Sequence, residues 1–197
     1  MNTIVPCPSE GITVLVLAAG KGARFTASGG TVHKLQALLN GKPVMQHALD
    51  TVAQAGLSCH QVLPAGGATA GMGDSIAYGV AATAKALGWL VLPADMPRVQ
   101  ASTLQQLAQA LQASHAWDAV VPSWQGQAGH PVAFSARCLQ ALLALRGEQG
   151  ARSVLQALRS QGKVKTLEVD DPGIVQDVDT LDDLRRMALA PAKPCLL

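Results

Sequence analysis

The run ITVLVLAAG at residues 12–20 constrains the fold more than any other stretch of the chain. It is continuously apolar, short, and ends in small residues, which is how a strand buried on both faces reads. Such strands belong to parallel sheets, because only helices on both sides can cover them. WLVLP at 89–93 repeats the pattern, and weaker strand signals fall at 59–63, 119–122, 131–134 and 165–169. Helical spacing fills the gaps. Val44, Ala48 and Val52 recur at i, i+4, i+8 behind Pro43, a residue favoured at the first helical position. Ile76, Val80, Ala84 and Leu87 mark a helix entered through a glycine-rich turn, and Leu104, Leu107, Ala108 and Leu111 mark another. Further helices are expected at about 136–145 and 151–161, and Thr180 with Asp183 three residues on predicts a capped final helix. Strand and helix alternate for most of the length, so the expected class is α/β with a mainly parallel sheet.

Composition narrows the function. The chain has 197 residues, 49% hydrophobic and only 14% charged, enough apolar material for one well-buried domain. Fifteen Lys+Arg against 13 Asp+Glu leave a net charge of +2, and no basic run argues for nucleic acid as the main partner. The longest strongly apolar stretch, residues 14–19, is far short of the ~20 residues that span a bilayer, so no membrane association is expected. Residues 1–10 lack the basic start and apolar block of a signal peptide, which predicts a cytoplasmic protein. The 4 cysteines and 5 histidines are scattered without zinc-ligand spacing, so the thiols are expected to be reduced and no structural metal is expected. A loosely held Mg²⁺ needs only one or two carboxylates and stays open. The two-proline tail from Ala190 is expected to be a loose terminus.

In open α/β sheets ligands bind at the carboxyl ends of the strands, and the polar residues there form a consistent set. After the first strand come Ala18, Ala19, Gly20, Gly22 and Arg24, then Lys34 beyond a flexible stretch at 28–30. Small residues let the backbone approach an anion, and the two cations can neutralise it. Neither the P-loop nor the dinucleotide fingerprint is present; GMGDSI at 71–76 lacks the final glycine. WLVLP runs into Asp95 between two prolines, where a carboxylate can hold Mg²⁺ over phosphates or simply cap a turn. Asp177 and Asp179 stand two apart, so in an extended segment both point to one side. His130 in GHPV and Arg152 in GEQGAR are each either ligand contacts or ordinary structural residues. No nucleophile elbow occurs, and no cysteine sits where it would be activated.

LAAGKGARF, Lys34-Leu35, GKPV at 41–44, GMGDSI, PADMP, GHPVAF, GEQGAR and DPGIVQDVDTLDDL occur in that order. Together they closely resemble the MobA-like nucleotidyltransferases, and within them the molybdenum cofactor cytidylyltransferase branch, over residues 12–187. The resemblance implies a Rossmann-like three-layer α/β/α domain of the nucleotide-diphospho-sugar transferase type, in a single unit at 12–187. It implies CTP as substrate, Mg²⁺ as cofactor and transfer of CMP onto a phosphorylated acceptor such as molybdopterin, with release of pyrophosphate. Carried over residue by residue, Ala18, Ala19, Gly20, Gly22, Gly71, Gly73 and Ser75 would line the nucleotide. Arg24 and Lys34 would bind its phosphates and act with Asp95 in catalysis, Asp95 and Asp179 would hold the metal, and His130 and Arg152 would face the acceptor. If the two metal carboxylates serve one ion they must converge at the sheet's carboxyl end. The chain departs from the family pattern in its longer loop at 25–33, its shortened segment at 57–70 and Gln127-Ala128 ahead of GHPV. Two alternatives remain: a GTP-using or sugar- or polyol-phosphate nucleotidyltransferase, or a non-catalytic accessory protein that binds molybdenum cofactor and meets a molybdoenzyme transiently.

Overall fold

A computed structural model describes residues 11–20, 22–63 and 71–189. In chain order the strands are β1 (Ile12–Leu17), β2 (Leu38–Leu39), β3 (Lys42–Pro43), β4 (Ser58–Val62), β5 (Gly88–Pro93), β6 (Ala119–Trp124), β7 (Gln127–Ala128), β8 (Val132–Ser135) and β9 (Val164–Glu168). The helices are α1 (Ala23–Ala27), α2 (Val44–Ala55), α3 (Met72–Ala82), α4 (Ala101–Gln112), α5 (Leu139–Leu143), α6 (Arg152–Ser160) and α7 (Leu181–Leu189). Both apolar runs form the expected buried strands. β1 lies between β4 and β5 and pairs with both in parallel register, Leu17 opposite Val62 on one side and Pro93 on the other.

The sheet continues from β5 through β8 to β6, with β7 and β9 both paired to β6. β8 runs antiparallel to β5 and β6, while β9 is parallel to β6, so most strands point one way. Alternate side chains of one strand serve opposite faces. Val14, Val16, Leu90 and Leu92 pack with Val44, Ala48 and Val52 of α2, Leu104 and Leu107 of α4 and Met187 of α7. Leu15, Trp89, Val91 and Phe134 pack with Ile76 and Val80 of α3, Leu142 of α5 and Val154 of α6. This is the three-layer α/β/α arrangement of the Rossmann-like class.

Two local expectations need correction. Pro43 sits at the N-cap of α2, one position before the helix, because it also pairs with Leu38 in the β2–β3 hairpin. α3 stops at Ala82, leaving Ala84 and Leu87 exposed. There the Thr83 hydroxyl turns back to the Gly79 carbonyl at 2.7 Å and accepts the Trp89 indole N–H at 2.9 Å, so the chain leaves the helix to enter β5. In the stretch at 28–30, a Cβ on Gly30 would lie 2.3 Å from the Phe25 ring. The Ser28 hydroxyl meanwhile accepts the Leu181 N–H at 3.0 Å. The final helix is capped as expected, with the Asp183 N–H donating to the Thr180 hydroxyl and the Asp183 carboxylate accepting the Thr180 N–H at 2.8 Å. The terminal segments 1–10 and 190–197 lie outside the described residues, as do Lys21 and the glycine-rich turn at 64–70.

A strap from Asp170 to Asp179 crosses the carboxyl ends of the strands. Asp171, 1% exposed, accepts hydrogen bonds from the N–H groups of Gln100 and Gly173, each at 2.9 Å, and from the Thr103 hydroxyl at 2.6 Å. Ile174 accepts the His130 N–H at 2.8 Å, and Val178 donates to the Asp95 carbonyl at 2.9 Å. The strap is thus tied down ahead of Asp177 and again at Val178, between Asp177 and Asp179.

Candidate active site

The chain runs from β1 outward to β4 and then crosses to β5 on the other side of β1, and this switch in strand order opens a crevice at the carboxyl ends of β1 and β5, the place where such sheets bind ligands. A cavity of about 400 Å³ opens there. Leu17, Phe25, Leu35 and Pro93 give it apolar walls, and Gly20, Gly22, Arg24, Lys34, Asp95 and Asp179 give it a polar rim. Its far side is made by Gly71, Met72, Ser75 and Glu148.

The glycine turn is shaped by its own residues. Gly22 has φ +63°, the left-handed region that suits glycine, and caps α1, which carries Arg24 on its exposed face and buries Phe25. His33 then locks the loop: its Nδ1 accepts the Leu35 N–H at 3.3 Å and its Nε2–H donates to the Gly20 carbonyl at 2.8 Å. These bonds start the one-turn 3₁₀ segment Lys34–Gln36 and aim Lys34 inward. The Lys34 ammonium donates to Asp95 Oδ2 at 2.6 Å and to Asp179 Oδ1 at 3.1 Å, and Arg24 pairs with the other oxygen of Asp179. Burial alone would lower the lysine pKa, but the ion pairs with Asp95 and Asp179 outweigh it and hold the pKa above its ordinary value.

Asp95, Asp177 and Asp179 each bring a carboxylate oxygen within 4.8 Å of the others. Asp95 follows β5, while Asp177 and Asp179 come from the strap, so the convergence joins segments distant in sequence. Burial, reinforced by the negative charges of Asp179 and Asp95, raises the pKa of Asp177. Three hard oxygen donors in this arrangement suit a Mg²⁺- or Mn²⁺-like ion, which prefers carboxylates to nitrogen or sulfur. The donor set therefore fits a divalent metal.

Of the residues singled out from sequence, Ala19, Gly20, Gly22, Arg24, Lys34, Gly71, Ser75, Asp95 and Asp179 share the cavity. Ala18 and Gly73 lie behind its wall. The Ala18 N–H extends the sheet to Val62 at 2.9 Å, and the Gly73 N–H donates to the Gly147 carbonyl at 2.7 Å. Ser75 spends its hydroxyl on the Gly71 carbonyl at 3.1 Å. His130 is not on the cavity wall but lies near enough to Asp95 and Asp177 to feel both charges. Arg152 is exposed at the start of α6 and is not among the residues that line the cavity. Sequence reasoning left out Asp177 as a ligand, missed His33, and covered Met72 and Glu148 only within the ranges 71–75 and 129–152 without naming them. Glu148 arrives because its loop is clamped to α3: the Gly147 N–H donates to Asp74 at 2.9 Å, and a Cβ on Gly71 would lie 2.3 Å from the Gly147 carbonyl carbon.

Burial pushes the His130 pKa below its ordinary 6.5, against the pull of Asp95 and Asp177. The neutral ring therefore contributes stability above pH 6.5 that is lost as the pH falls through the folded-state pKa, because the unfolded chain then takes up the proton more readily. Thermal midpoints of the chain and of His130→Gln compared at pH 8 and in the acidic range should show the smaller acid-side drop in the variant. An equal drop would remove His130 from the acid response.

Comparisons with known proteins agree with this fold. The profile of the MobA-like NTP transferase domain matches residues 59–164. The purine catabolism protein PucB of Bacillus subtilis (strain 168) is 32% identical over 124 residues, which are 61% of this chain and 58% of PucB. The chain thus spans little more than half the length of that relative. Among solved structures, Rv0371c from Mycobacterium tuberculosis H37Rv matches with a TM-score of 0.72 at 24% identity, over 92% of this chain and 98% of its own. Its complex with manganese matches at 0.68. A nucleotidyl transferase from Methanothermobacter thermautotroptrophicus, Mth528, matches at 0.72 with 22% identity, over 90% of this chain and 96% of its own. At these identities the structural likeness speaks for the fold.

Proposed function

From the premise that the chain belongs to the MobA-like NTP transferase family, we propose that it moves CMP from CTP onto a phosphorylated acceptor of the molybdopterin kind and releases pyrophosphate. The observation that carries this reading is the meeting of Lys34, Asp95 and Asp179 in one cavity with Ala19, Gly20, Gly22 and Arg24. On this reading residues 12–187 form one transferase unit.

An acceptor phosphate oxygen attacks the α-phosphorus of the nucleotide in line, forming a new P–O bond as the bond to the β-phosphate oxygen breaks. No covalent intermediate on the protein is needed, so catalysis consists of positioning and charge neutralisation. The glycine turn gives the triphosphate close access to the backbone, and Arg24 and Lys34 supply two positive charges beside it. Asp95 and Asp179, joined by Asp177, would hold a Mg²⁺ ion, which when bound neutralises phosphate charge at the reacting centre. Glu148 and Met72 face the part of the cavity away from these acids, where base and ribose would lie. His130, beside the acids but off the cavity wall, would meet the acceptor. Arg152 would do so from the start of α6, outside the cavity.

Pyrophosphate release measured with each of the common nucleoside triphosphates, with Mg²⁺ and with or without molybdopterin, tests the reading. CTP with molybdopterin should give turnover, and the other nucleotides should give little. Turnover with GTP and none with CTP would overturn the cytidylyl assignment. Nucleotide binding without pyrophosphate under any acceptor would favour an accessory role.

A further inference from the structure

We propose that Lys34 is a built-in competitor of the metal ion: its ammonium and a divalent cation use the same oxygens of Asp95 and Asp179, so metal binds weakly until the triphosphate draws the lysine away. The inference rests on the reading of the three carboxylates as a metal site, and it goes beyond that reading to the order in which the site fills.

The contact geometry carries it. Lys34 Nζ lies 2.6 Å from Asp95 Oδ2 and 3.1 Å from Asp179 Oδ1, bridging the segment after β5 and the strap. A Mg²⁺ ion bridging the same pair at ~2.1 Å from each oxygen would claim the space the ammonium fills. Both cations on one oxygen pair would also repel each other across a site that solvent screens poorly, since the Lys34 side chain is only 11% exposed and that of Asp95 18%. Arg24 differs: its side chain is 80% exposed and, among the described residues, its one ion pair is with Asp179, so it is screened and free to share.

The lysine also has somewhere to go. Its stem passes the glycine turn, where the position of a Cβ on Gly22 lies 3.5 Å from Lys34 Cγ, and both residues line the nucleotide cavity. An ammonium on a flexible four-carbon stem can exchange a carboxylate pair for a phosphate by rotation alone. The two equilibria are then coupled. Triphosphate that binds Lys34 releases the carboxylates to the metal, and metal that takes the carboxylates releases Lys34 to the triphosphate. Without nucleotide the carboxylates keep their lysine, which suppresses capture of free divalent ions. Lys34 is on this account a phosphate-binding group whose second role is to make metal binding conditional on substrate.

Two measurements on the full chain, neither of them an assay of turnover, test the exchange. Free Mn²⁺ is followed by electron paramagnetic resonance during titration of the wild type and of Lys34→Met, both without nucleotide. Methionine keeps an apolar stem of similar length but no charge. The variant should bind Mn²⁺ at least about tenfold more tightly, and equal or weaker binding would overturn the proposal. In the wild type, the Nζ signal of Lys34 in a ¹⁵N-lysine spectrum should change or vanish as Mg²⁺ saturates the site. A signal unmoved at saturation would overturn the exchange even if the variant fails to fold. If neither protein binds Mn²⁺, the metal reading falls and the exchange with it. If exchange is seen but no nucleotide supports pyrophosphate release, the exchange stands and the transferase reading is the one at fault.

Discussion

Asp95→Asn is expected to lower pyrophosphate release by at least about a hundredfold while leaving the fold intact. The carboxylate accepts the Lys34 ammonium from the loop after α1 and brings an oxygen within 4.8 Å of Asp177 and Asp179 on the strap. Asparagine keeps its shape and one acceptor oxygen but removes the charge that would hold a divalent ion. The loss should fall in kcat, because charge at the α-phosphate matters most in the transition state. Stability should change little. Three negative carboxylates here face the two positive charges of Lys34 and Arg24, so removing one anion relieves repulsion instead of stranding a buried cation, and Asp179 still receives the Lys34 ammonium at 3.1 Å. Circular dichroism and a thermal scan beside the turnover assay would separate the two effects. A variant with native-like turnover would remove Asp95 from the chemistry.

Much of this site is legible in the sequence because its parts hang on the two most readable strands. ITVLVL and WLVLP declare themselves buried and parallel, and the carboxyl ends of such strands are where charge can be used, so Gly20, Arg24, Lys34 and Asp95 were found by position. Asp177 and Asp179 were seen to share a side from their spacing, yet only the folded strap shows that Asp177 joins the same cluster. The less legible residues act through distant contacts. His33 reads as an ordinary loop histidine until its ring is seen tying Gly20 to Leu35 across the turn. Glu148 enters the cavity only because glycine at 71 and 73 lets its loop press against α3, a fit between segments more than seventy residues apart. Helix ends were misplaced where tertiary bonds override local preference, as at Thr83, whose hydroxyl is taken by Trp89. Glycine at 30 also serves the other use of that residue, which is to admit a close neighbour, here Phe25.

Asp171→Ala should be the most destabilising of the polar substitutions and should also spoil the metal site without touching it. The carboxylate is 1% exposed and accepts three hydrogen bonds, from Gly173 N–H, Gln100 N–H and the Thr103 hydroxyl, so alanine leaves three donors unpaired in the interior. At about 1–3 kcal/mol for each buried group left unsatisfied, and with some relaxation, a loss of about 4 kcal/mol follows. For a chain of this size that is roughly 10 °C in Tm. The consequence for function comes from where the bonds sit. Asp171 pins the start of the strap to the N-terminal turn of α4, and a Cβ on Gly173 would lie 2.1 Å from the Arg98 carbonyl, so the strap seats only with its backbone pressed against that loop. From there Ile174 takes the His130 N–H and Val178 reaches the Asp95 carbonyl, which sets Asp177 and Asp179 against Asp95. Freeing the first anchor should loosen the last contacts, so Mn²⁺ affinity should fall together with Tm. Asp171→Asn, which can still accept from two of the three donors, should recover part of both. A variant that melts early but binds Mn²⁺ as tightly as the wild type would show that the acids are held by Val178 and Ile174 alone.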